Sequence, residues 1–178
     1  MHTPCLRAAS AVLIMAAFFT ITLPAQPPTP PAAPPPPAPI NHDFDFWLGE
    51  WNVTTPDGKP AGTNRVESVA GGHGLLENWT GDPAVGGGNG KSLNCYNPAR
   101  RQWQQFWIGS GGGMLELAGG LHDGSMVLTG QHLVRGQPIL EHISWTPNAD
   151  GTVRQFWEQS RDAGKTWQPV FDGLYRKK

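Results

Sequence analysis

The chain is poor in cysteine. Cys5 and Cys95 are its two thiols, and Cys5 lies ahead of the first apolar run, so the body of the chain holds Cys95 alone. No disulfide can form within it, and its stability has to come from core packing. A surplus of either charge is also missing. With Arg7 set aside, 12 basic residues stand against 14 acidic ones, which provides no electrostatic footprint for nucleic acid. There is no sustained apolar stripe with a 3.6-residue period, which argues against a helical domain. Tyrosine is limited to Tyr96 and Tyr175.

What is present falls into three parts. Residues 1–25 combine Arg7 with sixteen mostly apolar residues, Ala8 to Leu23, and close on Leu23-Pro24-Ala25. Those flanks read as a secretory signal; the run stops short of the roughly 20 residues a spanning helix needs, so an uncleaved anchor is the weaker alternative. Cys5 precedes the run, the wrong side for lipid attachment. Residues 26–39 continue a stretch with ten prolines between Pro24 and Pro39 and no charge, a composition that favours an extended tether over a packed structure. The expectation is an exported protein, periplasmic or extracellular, with no membrane segment once the signal is removed.

Residues 40–178 form one domain-sized stretch that contains all 23 glycines and all eight tryptophans. Glycine clusters separate short segments rich in Val, Ile, Thr and aromatics. Ten strands are predicted, at 50–55, 62–70, 74–80, 91–96, 102–108, 114–119, 125–134, 138–146, 152–159 and 167–176. Turn-forming pairs divide them, among them Asp123-Gly124, Arg135-Gly136 and Ala163-Gly164. Ten meandering strands with such short connections predict an all-β, antiparallel up-and-down barrel, closed so that no edge is exposed and wide enough for side chains and one small ligand.

The domain opens with HDFDFWLGEW, residues 42–51, in which Phe44, Phe46, Trp47 and Leu48 could form a short helical plug ahead of Gly49-x-Trp51. That start resembles the Gly-x-Trp of lipocalins. The resemblance implies a tryptophan at the barrel floor with a basic residue of the last strand across it, a part that falls to Arg176. The start Phe44 to Trp51, the hairpin Ser160 to Trp167 and the finish Tyr175-Arg176 together resemble a bacterial family of secreted lipocalin-like domains of unknown function. That likeness implies a calycin-type barrel and no particular activity.

The octapeptide SRDAGKTW, residues 160–167, is similar to the Asp-box of sialidases. In such a box the aspartate takes hydrogen bonds from the turn, the glycine adopts a left-handed conformation and the tryptophan packs beneath the loop, all within one hairpin. A sialidase propeller needs several blades and far more chain. Ser160, Asp162, Gly164 and Trp167 are therefore read as structural. Ala163 replaces the more usual second glycine of this finish, with Gly164 expected to supply the positive φ alone.

Other motifs are bland. GGGNGKS has Val85 where a phosphate loop needs its first glycine, and strand-like sequence follows it instead of a helix. His42, His73, His122, His132 and His142 include no His-x-His or His-x-x-x-His pair, so no metal is predicted; His132 or His142 is the candidate ligand should a haem enter the barrel. Cys95 has no adjacent base and reads as a small buried residue.

The tryptophans carry the functional signal. Alternation puts Trp103, Gln105 and Trp107 on one face, Val153, Gln155 and Trp157 on another, Glu77 between Leu75 and Trp79, and Glu141 between Ile139 and Ile143. Carboxylates and amides flanked by large apolar groups predict a cavity wall of Glu77, Trp79, Gln105, Trp107, Glu141 and Trp157. The expected function is binding of a small amphipathic or aromatic ligand without catalysis and without a cofactor. An enzyme using Glu77 or Glu141 as acid or base, and a surface interaction module on a proline-rich tether, are the alternatives.

Overall fold

The computed structural model describes residue 36 and residues 38–178; the expected signal and nearly all of the proline-rich segment lie outside the described residues. Ten strands follow in order: β1 (Gly49–Thr54), β2 (Pro60–Val69), β3 (Gly74–Gly81), β4 (Asn89–Asn97), β5 (Gln102–Gly109), β6 (Met114–His122), β7 (Ser125–Val134), β8 (Gln137–Pro147), β9 (Val153–Ser160) and β10 (Gln168–Lys177). Each is antiparallel to its neighbour, and β1 pairs with both β2 and β10, closing the sheet into an up-and-down, lipocalin-like barrel. The expected fold class holds, because the turn chemistry that predicted it is present. Asp123-Gly124 and Arg135-Gly136 take φ of 48°/80° and 50°/79°, the paired positive values of a two-residue hairpin turn whose twist matches the strands.

Alternation along each strand sorts the core. On β8, Ile139, Glu141, Ile143 and Trp145 are buried, and on β7 Met126 and Leu128. Up-and-down connectivity places the β1–β2, β3–β4, β5–β6, β7–β8 and β9–β10 loops at one end, while the segment preceding β1 lies at the other. That segment forms a single 3₁₀ turn, Asp45–Trp47. Phe44 stacks on Trp47 with centroids 5.0 Å apart and meets Trp103 and Trp145 edge-on at 5.6 and 5.2 Å. Trp51 Nε1 donates to the Trp47 carbonyl at 3.0 Å. Fully burying each such ring contributes about 1.5–3 kcal/mol, enough to hold so short a turn in place as a plug.

The cation over Trp51 is Lys177, with Nζ 5.3 Å from the ring, and not Arg176. The register explains the correction: Trp51 faces Lys177, whereas Arg176 pairs with Asn52 on the other side of the sheet and is exposed. Gly49, beside the Lys177 stem, takes φ 133°, a conformation that residues with a Cβ rarely adopt. Cys95 is half-buried on the outward row of β4, not enclosed in the core. That outer face also carries an apolar patch of Leu93, Phe106, Ile108 and Met114, joined by the pairings Leu93–Phe106 and Ile108–Met114.

Candidate functional site

The aromatic plug fills one end of the barrel; toward the other end the interior opens into a cavity of about 340 Å³. The volume falls within the usual range for small-molecule pockets, roughly 300–1,000 Å³. Thr55, Val85, Gly87 and Gly88 border it from the β1–β2 and β3–β4 loops, and six aromatic side chains wall it: Trp79, Trp107, Trp145, Trp157, Phe171 and Tyr175.

Glycines opposite the indoles make the space. A Cβ on Gly90 would lie 2.1 Å from Trp107 Cζ2, and one on Gly62 would lie 2.8 Å from the Trp79 ring and 2.3 Å from the Thr80 carbonyl. Each indole therefore rests on the bare backbone of a glycine on a nearby strand. On β10 the register shifts between Pro169 and Phe171, so Val170 bulges and the inward run from Phe171 to Tyr175 is undisturbed.

A belt of polar side chains crosses four neighbouring strands beneath this aromatic wall. Asn64 Nδ2 on β2 donates to Glu77 Oε1 on β3 at 2.7 Å, and Ser92 Oγ on β4 donates to Glu77 Oε2 at 2.6 Å. Asn94 Nδ2 donates to Ser92 Oγ at 2.9 Å, and Gln105 Nε2 on β5 donates to Asn94 Oδ1 at 2.7 Å. All five residues are buried. Burial outweighs the two hydrogen bonds on the Glu77 carboxyl and pushes its pKa up to about 7 from an ordinary 4.5. Tyr175, across the interior, donates its hydroxyl to Gln155 Oε1, and burial together with the Glu77 charge raises the phenol well above 10.

Glu141 occupies a different position from the one expected. It is buried but does not line the cavity; its Oε2 accepts from Trp157 Nε1 at 2.5 Å and its Oε1 from Gln159 Nε2 at 3.0 Å. His132 Nδ1 stands 2.9 Å from Oε1 without the alignment of a hydrogen bond. Burial raises the Glu141 pKa, and Trp157, His132, Gln159 and Arg161 oppose the rise. Glu141 thus fixes the indole that faces the cavity. A carboxylate on the inward face of β8 is legible from alternation, but the indole that screens it from the cavity is not.

The other five expected wall residues, Glu77, Trp79, Gln105, Trp107 and Trp157, all line the cavity. Sequence reading missed Asn64, Ser92 and Asn94 as members of the belt and Tyr175 as part of the cavity wall. Neither His132 nor His142 lines the cavity; His142 lies beside Glu158 and against the Trp167 ring at 5.8 Å. Among the described residues no group of three or more His, Cys, Asp or Glu side chains is placed to hold a metal ion.

The Asp-box hairpin joins β9 to β10. Ser160 Oγ donates to Asp162 Oδ1 at 2.8 Å and accepts from the Gly164 amide at 2.8 Å, while the Thr166 amide and hydroxyl donate to the Asp162 carboxylate at 2.9 and 2.7 Å. The Thr166 amide and hydroxyl, with Ser160, hold the Asp162 pKa down at about 2. Ala163 itself takes φ 59° and Gly164 φ 86°, so both turn residues are left-handed, contrary to the expectation that glycine alone would supply the positive φ. None of Ser160, Asp162, Gly164 and Trp167 reaches the cavity.

In comparisons with known proteins, no family model matches the chain and no curated protein matches it.

Proposed function

We propose that this is an exported, non-catalytic binding module that holds one small amphipathic or aromatic molecule inside its barrel. The observation that carries the reading is the cavity: about 340 Å³ left open by glycines, walled by six aromatic side chains among the described residues and floored by a hydrogen-bonded polar belt. A barrel built only for stability would fill that space, since unfilled core volume costs about 24 cal/mol per Å³. Rings would stack on the flat body of a ligand, and Glu77, Gln105 and Gln155 would meet its polar end. The signal-like residues 1–25, the proline-rich residues 26–39 and the likeness of the domain's two ends to secreted lipocalin-like domains support export and tethering. The test is native mass spectrometry with an absorption spectrum on protein recovered from the exported fraction. One small molecule per chain is expected; protein that is free of ligand and takes up nothing from an extract of its medium contradicts the proposal.

A second reading has one observation in its favour. A carboxyl whose pKa is about 7 inside a cavity is suited to proton transfer, so Glu77 could act as the acid or base of an isomerase or hydrolase. Both its oxygens are already engaged by Asn64 and Ser92, and the only other titratable group lining the cavity among the described residues, Tyr175, stays protonated. Turnover that disappears in Glu77→Gln while the ligand still binds would favour this reading. The outer patch of Leu93, Phe106, Ile108 and Met114 supports a surface interaction module instead, and that reading needs no ligand in the cavity.

A further inference from the structure

We propose that the cavity selects organic cations: a positively charged nitrogen set against Glu77, with the apolar or aromatic body of the molecule held between the indoles. This rests on the cavity being a ligand site and names the chemistry it takes.

Charge distribution carries the argument. Among the described residues Glu77 is the one charged side chain lining the cavity, and no lysine, arginine or histidine lines it. The donors on the carboxylate, Asn64 Nδ2 and Ser92 Oγ, are neutral, so the ionised group has no counter-charge of its own. A buried carboxylate needs either a proton or a cation. Trp79, Trp107, Trp145 and Trp157 line the same space, and the electron-rich face of an indole attracts a cation. An anion would meet both the carboxylate and those faces unfavourably. A neutral ligand would use the rings and leave the carboxyl protonated.

Two further valences fit the same class. Gln105 donates its amide to Asn94, and no partner among the described residues takes its carbonyl oxygen, which leaves an acceptor for an N–H of the ligand. Gln155 accepts from Tyr175, which orients that amide at the opposite wall.

The groups around Glu77 make the pH behaviour definite. Strand β2 presents Asn64, β4 presents Ser92 and β10 presents Tyr175; Arg65, next to Asn64, is turned outward to Glu67. Only Glu77 changes charge near neutrality in this set, with a pKa of about 7. Cation binding favours the ionised carboxylate, so affinity strengthens as pH rises through that value.

The test compares three bicyclic probes of matched shape by calorimetric titration of the protein: N-methylquinolinium, whose charge does not titrate, neutral 2-methylnaphthalene and anionic 2-naphthoate. At pH 8 the cation should bind about tenfold or more tighter than the neutral probe, with the anion weakest. Glu77→Gln should erase the cation's advantage, weakening the cation while the neutral probe, relieved of an ionised carboxylate, binds at least as tightly as before; that retained binding reports that the variant is folded. Should that variant not fold, the wild-type protein at pH 5.5 decides, since the cation alone should weaken there. Neutral or anionic probes binding as tightly as the cation, or a cation affinity indifferent to both Glu77→Gln and pH, would overturn the charge selectivity while leaving the cavity a binding site. If none of the three probes binds, both proposals fall together.

Discussion

Ser92 donates its hydroxyl to Glu77 across 2.6 Å, from the strand next to the one that carries the carboxyl, and both side chains are buried. The contact ties the floor of the cavity to the sheet and fixes the orientation of its one acidic group.

The same carboxyl couples stability to pH. Its pKa rises from an ordinary 4.5 to about 7 on folding, so between those values the folded chain keeps a proton that the unfolded chain has lost. The associated stability is complete below pH 4.5 and is lost as pH rises through 7, a change of about 3 kcal/mol. Glu141 is raised as well and slopes in the same direction, so Glu77→Gln has to be compared with the wild type at each pH. In urea denaturation from pH 4.5 to 8, stability of the variant relative to wild type should improve by roughly 3 kcal/mol over that interval. A difference that stays constant with pH would show that Glu77 does not titrate in this range.

Removing the carboxylate that holds Trp157 should loosen the cavity wall. Glu141→Ala leaves the indole N–H and the Gln159 amide without their acceptor and opens a small void, at a cost on the order of 2–4 kcal/mol. Tryptophan emission should shift to the red and ligand affinity should fall, although Glu141 does not line the cavity. An unchanged spectrum with unchanged affinity would mean that Trp157 is placed by packing alone.

Gly90 is predicted to be intolerant of a methyl group. In Gly90→Ala the new Cβ falls 2.1 Å from Trp107 Cζ2, so the indole must swing from its position on the wall. Overpacking of this kind costs about 1–3 kcal/mol, and ligand binding should weaken with it. A crystal structure of the variant with Trp107 in place would disprove the close approach.

The Asp-box hairpin offers two opposite outcomes at adjacent positions. Ala163 holds φ 59°, a conformation that costs a residue with a Cβ about 1–2 kcal/mol, so Ala163→Gly should stabilise by about 0.5–1 kcal/mol after glycine's own entropy is counted. Asp162→Ala removes the acceptor for Ser160 and Thr166 and should lower the melting temperature by several degrees. Calorimetry measures both, and ligand affinity should be the same in both variants. Selective loss of binding in folded Asp162→Ala would place the hairpin in the site.

Much of the fold was legible because each turn carried its own chemistry, and every expected strand lies within three residues of the observed one. The inward faces of β3, β5, β8 and β9 match the expected ones, since on each a glutamate or glutamine stands between large apolar residues two positions away on either side. On β4 the same rule misleads. Leu93 points outward at 52% exposure, whereas Ser92 and Asn94 point inward, because their hydrogen bonds to the belt offset the cost of burial. Asn64 was hidden for the same reason: a polar residue between Thr63 and Arg65, two positions from Gly62, gives no apolar period. Arg176 and Lys177 differ by one position, and only the pairing of β10 with β1 decides which of them lies over Trp51. The left-handed Ala163 was invisible because alanine carries no signature of a positive φ.

The central claim is that the cavity is where a small molecule binds. The most direct measurement is native mass spectrometry of the wild type and of Leu115→Trp, side by side, after both have been exposed to a small-molecule extract of the medium. Leu115 lines the cavity from β6, and an indole in its place would occupy the space without disturbing Glu77 or its donors. The account predicts one bound small molecule per wild-type chain and none on the folded variant. Equal binding by both proteins, or no binding by either, would contradict it.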